Sequence, residues 1–319
     1  MSSRRLGLVG FNTPSGLGAA NRQLCRYLRP SLWLIVPHKR FPTLPTPRGA
    51  NIVHDEAEFL GQIDVLLFVE NPLKINLAIQ ARQLGKRLVC VPMQEWMPED
   101  LSSWPNLVDL FLCPTAHCYH ELYELLPCAK LAFPVDTDSF PFRQRTVCKR
   151  FVYLHGHGGW HDRKGGDVVA KALALWPSMP LTVYSQCSAD WPSAPGAVDN
   201  PQDLYAAGDV LIAPHRADGL GLEILEAASS GMPIVSTDGQ PWNEYPQLAK
   251  IKSTQTRQRI KRMVDWYEPS AESLVEVCRG LLGADISDAS DRARTWAEAR
   301  SWDVQADDYL DLVVTEHWT

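Results

Sequence analysis

The chain has 319 residues, 45% of them hydrophobic and 21% charged, the make-up of a globular protein that buries a real core and has room for two domains. With 31 Lys and Arg against 37 Asp and Glu, the net charge of −6 speaks against a protein built mainly to hold polyanions such as nucleic acid. The N-terminus runs straight into a short apolar strand without the apolar stretch of about 7–15 residues of a secretory leader, and no run reaches the about 18 apolar residues of a membrane span. The eight cysteines are scattered and form no Cys-x-x-Cys pair, so neither a zinc site nor a disulfide framework is signalled and a reducing, cytoplasmic compartment is expected.

In chain order, apolar runs predict strands over residues 6–10, 32–37, 65–69, 87–91 and 110–113, with helix-period segments at 17–28 and 75–84. Gly85 closes the second of these helices. Residues 38–48 form a Pro-rich loop with Lys39, Arg40 and Arg48. After the turn-rich stretch 134–150 the alternation starts afresh. Strands are expected at 151–155, 181–185, 210–213 and 233–237, and helices at 166–175, 202–207, 222–230 and 271–282. A last amphipathic segment, 296–314, packs on either half. Short, fully apolar strands alternating with helices predict parallel sheets covered on both faces. The expected architecture is α/β, two Rossmann-like doubly wound domains with a boundary near residue 145.

Three stretches carry chemistry. Pro214-His-Arg-Ala-Asp218-Gly-Leu-Gly-Leu-Glu223-Ile-Leu-Glu226 joins a strand to a helix through Gly219 and Gly221. Glycines let backbone amides approach a ligand and a helix N-terminus favours negative charge, so the place suits a diphosphate or sugar hydroxyls. Asp218 and Glu226 can both accept hydrogen bonds from diols there, or they are solvated acids at either end of a turn. His155-Gly-His-Gly-Gly-Trp160-His-Asp-Arg163-Lys164-Gly-Gly166 again links strand to helix and adds two cations, suited to a leaving diphosphate or simply a basic surface loop. Its histidines match no common zinc spacing. Gly10-Phe-Asn-Thr-Pro14-Ser-Gly16-Leu-Gly18 follows the first strand, where a doubly wound domain places its ligand. It lacks the third glycine and the acidic strand end of a nicotinamide site, which argues against dinucleotide binding.

In this order the pieces resemble the retaining family 4 glycosyltransferases of GT-B fold, over nearly the whole chain. Asp218 to Glu226, followed by Ser230-Gly-Met-Pro233-Ile-Val, is similar to that family's Glu-x7-Glu segment and its next strand. Arg163-Lys164-Gly165 resembles its phosphate-gripping element, Pro134-Val-Asp136-Thr-Asp-Ser-Phe140 its interdomain linker, and Ser15-Gly16-Leu-Gly18 its first glycine loop. Ser301-Trp302 opens a helix that in relatives crosses back to the first domain.

The resemblance implies domains at 1–145 and 146–300 facing across a cleft, a terminal helix at 301–319, and metal-independent transfer of a hexose from a UDP-, GDP- or ADP-sugar, with no cofactor. It implies that Glu226 holds the donor ribose, and that Asp218 and the amides of Gly219, Leu220, Gly221 and Leu222 hold the transferred sugar. Arg163 and Lys164 would neutralise the diphosphate, with Gly16 and Gly18 contributing the first-domain loop. The first acid here is Asp218 rather than Glu, one methylene shorter, and the arginine that relatives carry before the lysine falls on Gly159. Where relatives place an acceptor-side His, this chain reads Gln94-Glu95-Trp96. Either Glu95 or Gln94 does acceptor work, or Glu95 caps the next turn and Trp96 is core. Trp104 and Trp160 also sit in candidate cleft loops, and His117 and His120 follow a strand end. A metal role for Asp136 and Asp138 is disfavoured by their place in the linker. The acceptor classes left open are a glycan, a lipid, a small molecule, a protein and a modified DNA base, and Lys39, Arg40 and Arg48 give only a hint of a membrane surface. The competing reading is a non-catalytic or degenerate nucleotide-sugar binder, and a phosphorylase lacks its marked lysine.

Overall fold

The computed structural model describes residues 4–187, 191, 198 and 200–315, apart from the side chain of Trp160. It divides into two compact units, Met1–Pro134 with Trp302–Thr319, and Val135–Ser301.

The first unit runs β1 (Leu6–Gly10), α1 (Gly16–Leu28), β2 (Leu32–Ile35), β3 (Ile52–Val53), α2 (Glu56–Gln62), β4 (Val65–Glu70), α3 (Ile75–Gln83), β5 (Arg87–Pro92), β6 (Leu110–Cys113), α4 (Ala116–Leu122) and β7 (Cys128–Lys130). Its seven strands are all parallel, in the order β3-β2-β1-β4-β5-β6-β7. The order reverses between β1 and β4, the switch point at which doubly wound sheets open a crevice. Strands β1, β4 and β5 are buried almost throughout, because helices cover both faces and leave no room for a polar alternation. Ser15 caps α1, its hydroxyl accepting from the Gly18 amide at 3.2 Å. Gly18 is required by packing: a Cβ there would lie 2.2 Å from the Thr13 carbonyl. Gly85 follows α3 with a φ of +68°, the left-handed exit expected of it.

The second unit holds β8 (Phe151–Gly156), α5 (Gly166–Leu175), β9 (Leu181–Ser185), β10 (Val210–Ala213), α6 (Leu222–Ser229), β11 (Ile234–Thr237), β12 (Gln247–Ile251), β13 (Ser253–Arg259), β14 (Met263–Pro269), α7 (Ala271–Leu281) and α8 (Ser287–Glu298). Five parallel strands run β12-β11-β10-β8-β9, so this sheet also reverses, between β8 and β10. The loops that leave the carboxyl ends of β8 and β10 therefore flank its crevice.

Besides β3, β7 and β12, strands that the sequence reading did not place, three segments depart from it. Residues 296–314 form two pieces, the end of α8 and a separate α9 (Trp302–Val314), parted where Val135 bonds Arg300 and bridges Ser301. A period-3.6 pattern carries across such a break because apolar spacing does not register a backbone hydrogen bond. Helix α9 belongs to the first unit: Trp302 stacks on Tyr27 at 5.1 Å, bonds Gln23, and lies buried with Tyr309 and Val313. Residues 202–207 shrink to a single 3-10 turn, Pro201–Tyr205. The antiparallel hairpin β13–β14 was not foreseen, since Ser-Thr-Gln-Thr-Arg-Gln-Arg has no apolar alternation and β13 is mostly exposed.

Candidate functional site

The two loops at the second switch point are pressed together. Gly165 has φ +74°, and a Cβ on it would lie 2.0 Å from the Pro214 carbonyl. Only glycine meets both demands. The Arg216 amide bonds the Arg163 carbonyl at 2.8 Å, and the Tyr153 hydroxyl bonds the Lys164 carbonyl at 3.0 Å, so the backbone on either side of the two cations is held. Asp162 accepts from the amides of Gly166 (2.7 Å) and Asp167 (2.9 Å), capping α5 with charge at its positive end. Arg216, only 7% exposed, bonds Asp162, Asp167 and Glu268, at 3.0, 2.7 and 2.9 Å, and so staples the loop and α5 to β14.

The side chains converge on one charged cluster. Arg163 Nη1 lies 3.3 Å from Asp218 Oδ1, and Lys164 Nζ lies 2.8 Å from Asp218 Oδ2 while also bonding Glu223. His215 lies between the carboxylates, Nε2 3.1 Å from Glu223 Oε1 and Nδ1 3.5 Å from Asp218 Oδ2. Burial by itself raises the Asp218 carboxyl, but Lys164 and Arg163, with His215, hold it well below the usual carboxylate range. Glu223 follows the same logic: burial raises it, and Lys164 and His215 bring it down further. Burial lowers Lys164, and Asp218 with Glu223 more than restore it. Burial and then Lys164 lower His215, against the pull of Glu223 and Asp218. The cation between these carboxylates is thus supplied by the chain itself.

Helix α6 starts from Gly221, φ +64°, without a side-chain cap. Gly219, Leu220 and Gly221 are buried in the approach to it, and the Leu220 carbonyl accepts from the Tyr245 hydroxyl. Glu226 sits three residues after Glu223 and so shares its side of α6. Its Oε2 accepts from the Tyr205 hydroxyl at 2.6 Å. Behind Tyr205 lies Arg145, 2% exposed, which bonds the carbonyls of Tyr205 and Arg143 at 2.7 Å each and that of Ser230. Burial lowers the Arg145 guanidinium to about 10. The structure thus gathers Arg163, Lys164, Asp218, Glu226 and the 219–222 backbone at one strand-end crevice of the second unit.

The remaining candidates are spread over both units. Gly16 opens α1 at the carboxyl end of β1, exposed, with nothing within 4 Å of an added Cβ. Glu95 is only 3% exposed, in a one-turn 3-10 helix after β5 whose N-cap is Met93 and which has no side-chain cap bond. Gln94 is 5% exposed, Trp96 is half-buried, and Trp104 is a core residue. His117 is half-buried and His120 exposed on α4, and the Trp160 side chain lies outside the described residues. Asp136 is buried and accepts from the Ser139 amide, a turn-forming role. His155 pairs with Ser185, and His157 accepts from the Gly159 amide.

Sequence reasoning missed His215, Glu223, Tyr205, Arg145 and Arg216. Only Glu223 carried a readable signal, its three-residue spacing from Glu226.

Residues 189–249 match the profile of the family described as glycosyl transferases, group 1. An 85-residue stretch is 33% identical to the lipopolysaccharide core biosynthesis mannosyltransferase LpsB of Rhizobium meliloti, 27% of this chain and 24% of that protein. The chain therefore aligns with about a quarter of the length of that relative. Among solved structures, a glycosyltransferase from Rickettsia africae superposes with a TM-score of 0.68 at 11% identity, covering 98% of each chain. Sucrose-phosphate synthase from Thermosynechococcus elongatus gives 0.65 at 12% identity, over 97% of this chain and 98% of that one. WaaG, a glycosyltransferase involved in lipopolysaccharide biosynthesis, gives 0.60 at 13% identity, over 98% and 100%. The fold is GT-B. Among the described residues no helix is long and apolar enough to cross a membrane.

Proposed function

We propose, from a chain whose segment and fold are those of the group 1 glycosyl transferases, that this protein moves a hexose from a nucleoside diphosphate sugar to a hydroxyl of a glycan, with retention at the anomeric carbon. The observation that carries the reading is the pair Arg163 and Lys164 set against Asp218 at the reversal of the second sheet. Fixed cations beside a glycine turn and a helix N-terminus stabilise charge where it develops on a leaving diphosphate. Glu226, held by Tyr205, is placed to accept from ribose hydroxyls, and Asp218 from hydroxyls of the sugar. The bond from the anomeric carbon to the β-phosphate oxygen breaks and the acceptor oxygen bonds the same face. The acceptor proton passes to the departing phosphate, so no side-chain base is required. Arg163 and Lys164 do the work a divalent ion does elsewhere. The glycan is favoured over a lipid, a small molecule or a modified DNA base by the 85-residue likeness to a lipopolysaccharide mannosyltransferase.

The second reading, a binder without turnover, is favoured by one observation: the cations are already neutralised by Asp218 and Glu223. A thermal-shift screen with UDP-glucose, UDP-GlcNAc, GDP-mannose and ADP-glucose, with and without EDTA, followed by donor hydrolysis, separates the two. A selective shift insensitive to EDTA, together with slow release of sugar, supports transfer. A shift without any hydrolysis or transfer supports the binder, and no shift with any donor removes both.

A further inference from the structure

His215 occupies an unusual position between two carboxylates. It is 1% exposed, its two ring nitrogens point one to Glu223 and one to Asp218, and Nδ1 has no hydrogen-bond partner. A neutral imidazole donates from a single nitrogen, so it satisfies one of these carboxylates; an imidazolium donates from both. In the structure Lys164 serves both carboxylates instead.

The groups facing the ring are Asp218 from its own loop, Glu223 from α6 and Lys164 from the loop before α5. The Thr237 hydroxyl of β11 donates to the His215 carbonyl, and the Trp242 ring packs edge-on at 6.0 Å, so neither adds charge. Arg163 reaches the other oxygen of Asp218. Two cations and two carboxylates cancel. A diphosphate that engages Lys164 draws it from Asp218 and Glu223, leaving Asp218 with Arg163 and the ring, and the half-buried Glu223 with the ring.

Building on the donor reading above, we propose that His215 and Glu223 are positioning residues of a proton-coupled exchange. As the donor diphosphate draws Lys164 away, His215 takes one proton from solvent and replaces the ammonium between the two carboxylates. The proton is returned when the nucleoside diphosphate leaves and Lys164 swings back. Glu223 thereby sets the resting place of Lys164, and His215 keeps Asp218 ionised to receive sugar hydroxyls during the exchange.

The test is isothermal titration of the full chain with UDP-glucose, GDP-mannose and ADP-glucose, in paired buffers of different ionisation enthalpy, from about pH 6 to about pH 8.5, the range of a perturbed histidine. The diester phosphates of these donors do not titrate there. Net uptake approaching one proton per donor bound is expected, with affinity falling by up to about tenfold per pH unit as pH rises. His215→Gln should still bind, without uptake and with affinity flat in pH, and Glu223→Gln should bind with reduced uptake. Wild-type binding without proton uptake overturns the exchange and leaves the donor reading intact. Uptake that persists unchanged in either variant also overturns it. Failure of every donor to bind the wild-type chain removes the donor reading, and the exchange with it.

Discussion

Lys164 bonds both Asp218 and Glu223 and so is the central contact of the charged cluster. Lys164→Met should lower kcat by about 100- to 1,000-fold, the cost of removing one preorganised stabilising charge. Donor turnover with circular dichroism as a check on folding measures this, and near-wild-type turnover would remove Lys164 from the machinery. The same contacts fix a pH dependence. Asp218 and Glu223 are held below their ordinary values of 3.8 and 4.5. Their stabilisation is therefore present above that range and lost as pH falls through their folded values. Lys164 is raised above its ordinary 10.5, so its share is present below that pH and lost only as pH rises through the higher folded value. In Lys164→Met the cost of burying the charged carboxylates is less opposed, and the acid limb of melting temperature against pH should move upward. An unmoved acid limb would show that the cluster does not couple to folding. Much of this candidate site was legible in the sequence, since Arg163, Lys164 and Asp218 lie in glycine-marked joints between strand and helix, and Glu226 in the helix that follows. Glu223 was marked only by its three-residue spacing from Glu226, and His215 not at all, because a buried ring between two acids leaves no spacing rule to read.

At the scale of elements, the glycine joints separate into two kinds. Gly165 is held by a left-handed φ and by the Pro214 carbonyl, so Gly165→Ala should destabilise the second unit by about 2–4 kcal/mol through strain and forced separation of two loops. Chemical denaturation measures it, and a loss under about 0.5 kcal/mol would refute the close approach. Gly16 opens α1 with empty space where a Cβ would stand. Gly16→Ala should leave stability unchanged or raise it by up to about 1 kcal/mol. Any fall in donor affinity in that variant therefore reports the ligand and not the fold, which makes it the cleaner probe of the first glycine loop. Parallel strands were readable because burial on both faces makes them continuous apolar runs. The β13–β14 hairpin was not, since backbone pairing and Arg216's reach to Glu268 hold it, and an exposed polar strand carries no hydrophobic pattern.

For the whole molecule, the chain returns to its first unit at the end. Trp302, Tyr309 and Val313 are buried there, and Arg87 bonds the carbonyls of Leu312 and Val313. Truncation after Ser301 removes two large aromatic side chains from that core, at about 3–5 kcal/mol for each such loss in a packed interior. Calorimetry should show the first unit melting earlier while the transition of the second holds its temperature; equal shifts of both would contradict this assignment. What the sequence determined by itself was the alternation, two doubly wound halves and the charged glycine loops, because strand burial, helix period and turn chemistry are local properties of the chain. Only the tertiary structure decided that Lys164 rests on two carboxylates and that His215 lies between them. Those depend on strand order, which brings the ends of β8 and β10 together across about sixty residues of chain, a distance over which no local pattern carries information.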